Sequence, residues 1–315
     1  MAARKVWWRL AQVALIALTL WLVWRSFASG DDPAWPKVVR AWHDLHFRPW
    51  PLVGSCVVVY VSYAVLIETW RRTVALWGGM LPYSTAARIW FVSNLGRWIP
   101  GKIWQITAMG ALAQQSGVPA VAAVGSSLLI AVVNVISAFV VSIALATRHV
   151  PIPRSGVYVI ALATIAVLLA PNVVPGLVRW AAKKAGRDVT WPPIPPRAIL
   201  VAFVGCSIAW ILYGVAFQLL VSSMYGSAAG ATRDYITAFT LSYIVGYLFI
   251  FAPGGIGTRE LMLTYLLKTF ELATDAVSAV IVVVSRVWLT ILELVPGLIL
   301  LAITPKPATS RGPDR

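Results

Sequence analysis

Six ionisable residues stand in stretches otherwise poor in charge: Arg97, Lys102, Arg259, Glu260, Arg286 and Glu293. A charge inside hydrocarbon costs about 2.5–3.5 kcal/mol on the insertion scale, so a charge kept there marks function by default. Arg97 and Lys102 bracket Pro100-Gly101, and Arg259-Glu260 follows Pro253-Gly254-Gly255-Ile256-Gly257. Proline removes a helix hydrogen bond and glycine admits conformations closed to other residues, so each Pro-Gly divides an apolar run into two half-helices. A helix that starts after such a break points unbonded N–H groups at it, which favours an anion. With Arg97 and Lys102 at one break and Arg259 near the other, both become cation-rich elbows, and a phosphate headgroup is the ligand they suit. Arg286 lies about ten residues into the last apolar run, roughly 15 Å deep at 1.5 Å per residue. Glu293, seven residues on, falls on the same helix face. The expected site therefore uses Arg97, Lys102, Arg259 and Arg286 to neutralise phosphate. Glu260 holds an arginine or meets a cationic headgroup, and Gln105 and Glu293 are secondary members. A plainer reading stays open, in which Pro-Gly only kinks packed helices and Arg259, Glu260 and Arg286 form internal ion pairs.

The elements that must position these residues are set by composition. The 315-residue chain is 59% hydrophobic and 12% charged, with a mean hydropathy of +0.80. Soluble domains carry about 25% charged residues, so the solvent implied here is lipid. Runs of 18 to 28 apolar residues, without polar alternation, exclude a β-barrel and predict an all-α polytopic membrane protein. The net charge of +15 fits basic residues gathered at cytoplasmic ends and anionic headgroups, and nucleic acid is not expected as a partner. Trp7, Trp8, Trp24, Trp50 and Trp70 flank apolar runs, as an interfacial aromatic belt requires. Cys56 and Cys206 lie within such runs and read as small buried hydrophobes.

Six runs are long enough to span: 6–28, 52–70, 118–147, 156–175, 197–224 and 276–303. The first reads as an uncleaved anchor rather than a signal peptide. Two further stretches, 84–116 and 232–270, carry the Pro-Gly breaks. If both turn back within the membrane, 14 of the 26 basic residues fall on the cytoplasmic side, including the dense cluster Arg179–Arg187, and both termini are cytoplasmic. A single crossing by each would put that cluster outside, against the positive-inside rule. The expectation is therefore six full spans plus two re-entrant hairpins in an inner or plasma membrane, forming one transmembrane domain over 1–315. Pro100-Gly101 and Pro253-Gly254 are 153 residues apart, and three full spans lie between them. The halves, about 52–147 and 200–303, thus predict an inverted repeat with broken helices, as in many transporters.

The run Pro253-Gly-Gly-Ile-Gly-Thr-Arg-Glu260, followed by Ser285-Arg286, resembles the lysylphosphatidylglycerol synthase transmembrane (flippase-like) family. Asn94 with Pro100-Gly101-Lys102 resembles that family's first motif, which brings Asn94 into the candidate headgroup site. The resemblance implies a membrane protein that binds or moves lipid-linked headgroups: anionic or aminoacylated phospholipids, or polyprenyl-phosphate-linked lipids. In the bifunctional members a separate soluble aminoacyl-transferase domain makes the lipid. Neither such a domain nor lysine transfer from tRNA is expected here. In the aligned copies Trp104 stands where the second has Gly257, and Thr107 where it has Glu260.

Other patterns carry less. His43, Asp44 and His46 read as interfacial residues, and no metal or cofactor is expected. No glycine-rich nucleotide loop, serine–histidine–acid set or zinc spacing is present. Pro192–Pro196 after the basic cluster reads as a stiff cytoplasmic linker. Two rivals to a flippase-like carrier stay open: a membrane-embedded transferase on a lipid phosphate with Glu260 as its acid or base, and a non-transporting partner of a lipid-modifying enzyme such as a synthase or glycosyltransferase.

Overall fold

The computed structural model describes residues 34–98, 103–146, 195–248 and 257–303, with Gly176, Trp180 and Lys183 as isolated helical positions. Every element among them is helical. Helix α1 (Ala34–His43) leads into α2 (Pro49–Leu76), then α3 (Tyr83–Asn94) with a 3-10 turn over Leu95–Trp98, α4 (Ile103–Gln115) and α5 (Ala120–Leu145). The second half holds α6 (Pro196–Tyr225), α7 (Thr232–Leu248), α8 (Thr258–Thr269) and α9 (Asp275–Ala302). The expected spans 6–28 and 156–175 lie outside the described residues, as do Pro100, Gly101, Lys102, Pro253, Gly254 and Gly255.

Helices α2, α5, α6 and α9 are long and apolar enough to cross a membrane. Their outer faces are built for lipid. Val53, Val57 and Val61 on α2, Leu200, Val204 and Ile208 on α6, and Val283, Val287, Ile291 and Val295 on α9 are all exposed. Spaced by four, they form apolar stripes on the outside, the reverse of a water-soluble helix. Prolines start these helices where no donor is lost: Pro49 and Pro51 in the first turn of α2, Pro196 at the first position of α6. Gly226, at φ 82°, ends α6. Arg48 Nη1 donates to the Gly226 carbonyl at 3.1 Å, placing a cation at the negative end of that helix.

The order long–short–short–long occurs twice, α2 to α5 and α6 to α9. Helices α2 and α6 run antiparallel along their lengths: Gly54 faces Leu219, Ser62 Oγ donates to the Ala209 carbonyl at 3.1 Å, and Thr69 faces Gly205. The remaining long helices are exchanged between halves, α5 packing on α7 and α9 on α3. Each broken stretch also finishes beside its own start. A Cβ on Gly79, before α3, would lie 2.8 Å from Val118, after α4. One on Gly230, before α7, would lie 2.5 Å from Leu272, after α8. In each stretch the two described helices thus form a hairpin: α3 packs on α4 and α7 on α8, with their outer ends side by side.

Candidate functional site

Arg97, Arg259, Glu260, Arg286 and Glu293 come from both halves and converge. Arg97 sits in the turn that ends α3. Its Nη1 donates to Glu293 Oε1 on α9 at 2.5 Å and also to the Tyr243 hydroxyl. That hydroxyl lies 3.5 Å from the same Glu293 oxygen, so cation, phenol and carboxylate form one cluster. Arg286 Nη1 is 3.3 Å from Glu260 Oε1. Arg286 and Glu293 do share a face of α9, each reaching a different hairpin.

Arg259 is the most enclosed of the three arginines, at 5% exposure. Its guanidinium carbon is 5.2 Å from the centre of the Tyr243 ring and 5.4 Å from that of Phe239, a cation held against aromatic faces rather than by a carboxylate. Gly246 on α7 makes the approach possible: a Cβ there would lie 2.7 Å from Arg259 Cβ. The buried Arg259 Nη2 has no hydrogen-bond partner, and a buried charged donor left unmade is costly. A cavity of about 20 Å³ is lined by Arg97, Tyr243, Arg259, Arg286, Thr290 and Glu293. Around it stand three guanidinium groups and two carboxylates, so the described site carries one positive charge in excess.

Glu260 has a local task that its spacing did not suggest. At the third position of α8 it accepts the Gly257 N–H on Oε2 at 2.6 Å, while Oε1 faces Arg286. One helix-start donor that the sequence leaves for an outside anion is thus taken by the chain's own carboxylate. Both carboxylate oxygens of Glu260 thus face partners within the chain. Gly257 reaches this geometry at φ 90°.

The turns that end α4 and α8 are 154 residues apart, Val118 N–H donating to the Ala113 carbonyl and Leu272 N–H to the Leu267 carbonyl, and Ala120 and Asp275, which start α5 and α9, are 155 apart. Gln105 Nε2 donates to Asn94 Oδ1 at 2.5 Å, a neutral amide pair, whereas the second half has the Glu260–Arg286 ion pair. By the register of α5 and α9, Arg286 and Glu293 correspond to Ala131 and Ala138. Among the described residues the first elbow is polar and Arg97 is its one charge. Asn94 and Gln105 line a second cavity of about 70 Å³, which shares Arg97 and Tyr243 with the first.

Tyr243 is the residue that sequence reasoning missed. With Phe239 and Tyr247 it makes an aromatic stripe at every fourth position of a helix in a broken apolar stretch. A tyrosine hydroxyl there needs a polar partner, which was the available signal. Among the described residues no three His, Cys, Asp or Glu converge on one point. No family model matches the chain, and no curated protein does.

Proposed function

We propose that the chain is an integral membrane, flippase-like carrier that binds the phosphate of an anionic lipid headgroup between two re-entrant hairpins. The observation that carries this is the convergence of Arg97, Arg259 and Arg286 on one cavity where, among the described residues, two carboxylates balance them. A phosphate oxygen supplies the acceptor that Arg259 Nη2 lacks and cancels the excess charge. The resemblance to the lysylphosphatidylglycerol synthase transmembrane family supports the same class of cargo: phosphatidylglycerol, its aminoacylated forms, or polyprenyl-phosphate-linked lipids. The antiparallel α2 and α6, and hairpins that close beside their own starts, support an inverted repeat whose elbows face opposite leaflets. In this topology both termini are cytoplasmic in an inner or plasma membrane. Binding between the elbows, with access alternating from one leaflet to the other, carries the headgroup across. The engagement of both Glu260 oxygens weighs against the transferase alternative.

The test is a leaflet assay in proteoliposomes with labelled phosphatidylglycerol, aminoacyl-phosphatidylglycerol and polyprenyl phosphate, run beside Arg286→Ala. Movement of one lipid, lost in the variant, is the expected result. Absence of movement for every lipid with folded protein would turn the reading towards a non-transporting partner subunit.

A further inference from the structure

The larger cavity has a different chemistry from the arginine cavity beside it. Among the described residues its only charged lining residue is Arg97, already paired with Glu293. Aromatic rings make much of its wall. Tyr63, Tyr213, Trp210 and Tyr243 form a continuous chain, with ring centres 5.9 Å, 5.9 Å and 5.4 Å apart in that order. Four buried polar atoms on lining residues have no hydrogen-bond partner: Tyr63 Oη, Trp90 Nε1, Asn94 Nδ2 and Arg97 Nε. Tyr63 is 1% exposed, Asn94 4% and Trp90 8%, so bulk solvent does not serve them. Three of the four can only donate. Unpaired buried donors each cost about 1–3 kcal/mol, and the group that relieves them must bring several acceptor oxygens. At about 70 Å³ the space takes roughly five water-sized groups at about 10–15 Å³ each.

We infer that this cavity is a second subsite, which takes an uncharged polyol, the glycerol or sugar part of a lipid headgroup, through the donors of Trp90, Asn94 and Arg97 over the aromatic wall. Hydroxyl and ring oxygens accept from the donors, and the carbon face of the polyol lies against the rings. A phosphate is better served next door, where three guanidinium groups meet. Because Arg97 and Tyr243 border both cavities, one headgroup can place its phosphate in the first and its polyol in the second. The inference rests on the carrier reading for that straddling pose; the polyol subsite itself does not need a phosphate.

The full chain in detergent is therefore tested against two pairs of lipids. Glucosyl diacylglycerol against diacylglycerol isolates the polyol with no phosphate in play. Phosphatidylglycerol against phosphatidic acid asks the same of glycerol, and the larger ratio names the better headgroup. In each pair the polyol lipid is expected to bind at least about tenfold more tightly. Trp90→Phe, which removes one donor and keeps the ring, and Asn94→Leu should each bring the ratio close to one. Arg286→Ala should weaken both phospholipids and leave the glucosyl preference in place. Equal affinity within both pairs, or a preference untouched by Trp90→Phe, would overturn the subsite and leave a cavity that holds water only. A glucosyl preference that persists while Arg286→Ala changes no phospholipid affinity would retain the subsite and sink the anion site instead. Trp90→Phe serves as the decisive variant if Asn94→Leu does not fold.

Discussion

Arg97 and Glu293 join the two halves of the chain at a single point, and their pairing decides how the site is held. Breaking a buried pair leaves one charge without its partner and costs about 3–5 kcal/mol, whereas replacing both with apolar groups is often neutral. Glu293→Gln should therefore lower thermal stability in detergent sharply, while Arg97→Met with Glu293→Leu should recover most of the loss. The double variant should nonetheless fail to move lipid, since the cation is gone. A double variant as unstable as the single one would show that packing, not charge, is the contribution of this pair. Tyr243→Phe is a milder probe. It removes one hydroxyl from the cluster and should cost about 1 kcal/mol, with the Arg97–Glu293 contact retained.

At the scale of elements, close approach of paired helices is what delivers Arg259 to its aromatic cage. Gly246 on α7 lies under α8, where a Cβ would come within 2.7 Å of Arg259 Cβ and 3.3 Å of its Cα. Gly246→Ala must push the helices apart, at about 1–3 kcal/mol, and shift Arg259 from the Phe239 and Tyr243 rings. Gly110→Ala is the matched control. Its Cβ would make ordinary contacts, with Val124 Cγ2 at 3.4 Å, Val124 Cα at 3.7 Å and the Ala123 carbonyl oxygen at 3.9 Å. Melting curves should separate the two, and transport should fall in Gly246→Ala alone. Equal effects would remove the close α7–α8 contact as the positioning device.

For the whole molecule the hairpin geometry makes a labelling prediction. Met80, before α3, and Ser116, after α4, flank the first broken stretch and are both exposed. In a background with Cys56 and Cys206 replaced by alanine, Met80→Cys and Ser116→Cys should react with a membrane-impermeant maleimide from one and the same side, the cytoplasmic one. Ala228→Cys, just after α6, should react from the outer side, where backbone hydrogen bonds hold residues 46–48 against the end of α6. Labelling of positions 80 and 116 from opposite sides would mean that the stretch crosses the membrane, and the inverted arrangement would fall with it.

Much of this was legible in the residues. Apolar length set the helical class and the positions of α2, α5, α6 and α9, because burying a backbone in lipid leaves few alternatives to a helix. The cost of a charge in hydrocarbon singled out Arg97, Arg259, Glu260, Arg286 and Glu293, which the fold brings together. The partners of those charges were not legible. Arg97 meets Glu293 and Tyr243 across more than a hundred residues of chain, a contact that no local spacing encodes. Glu260 turned inward to cap its own helix, and Arg259 went to aromatic rings, choices set by which faces the antiparallel halves bring together. Apolar pattern and breakers act over a few turns of one helix, whereas the sharing of charge among three arginines is decided only when two hairpins and α9 close around a common cavity.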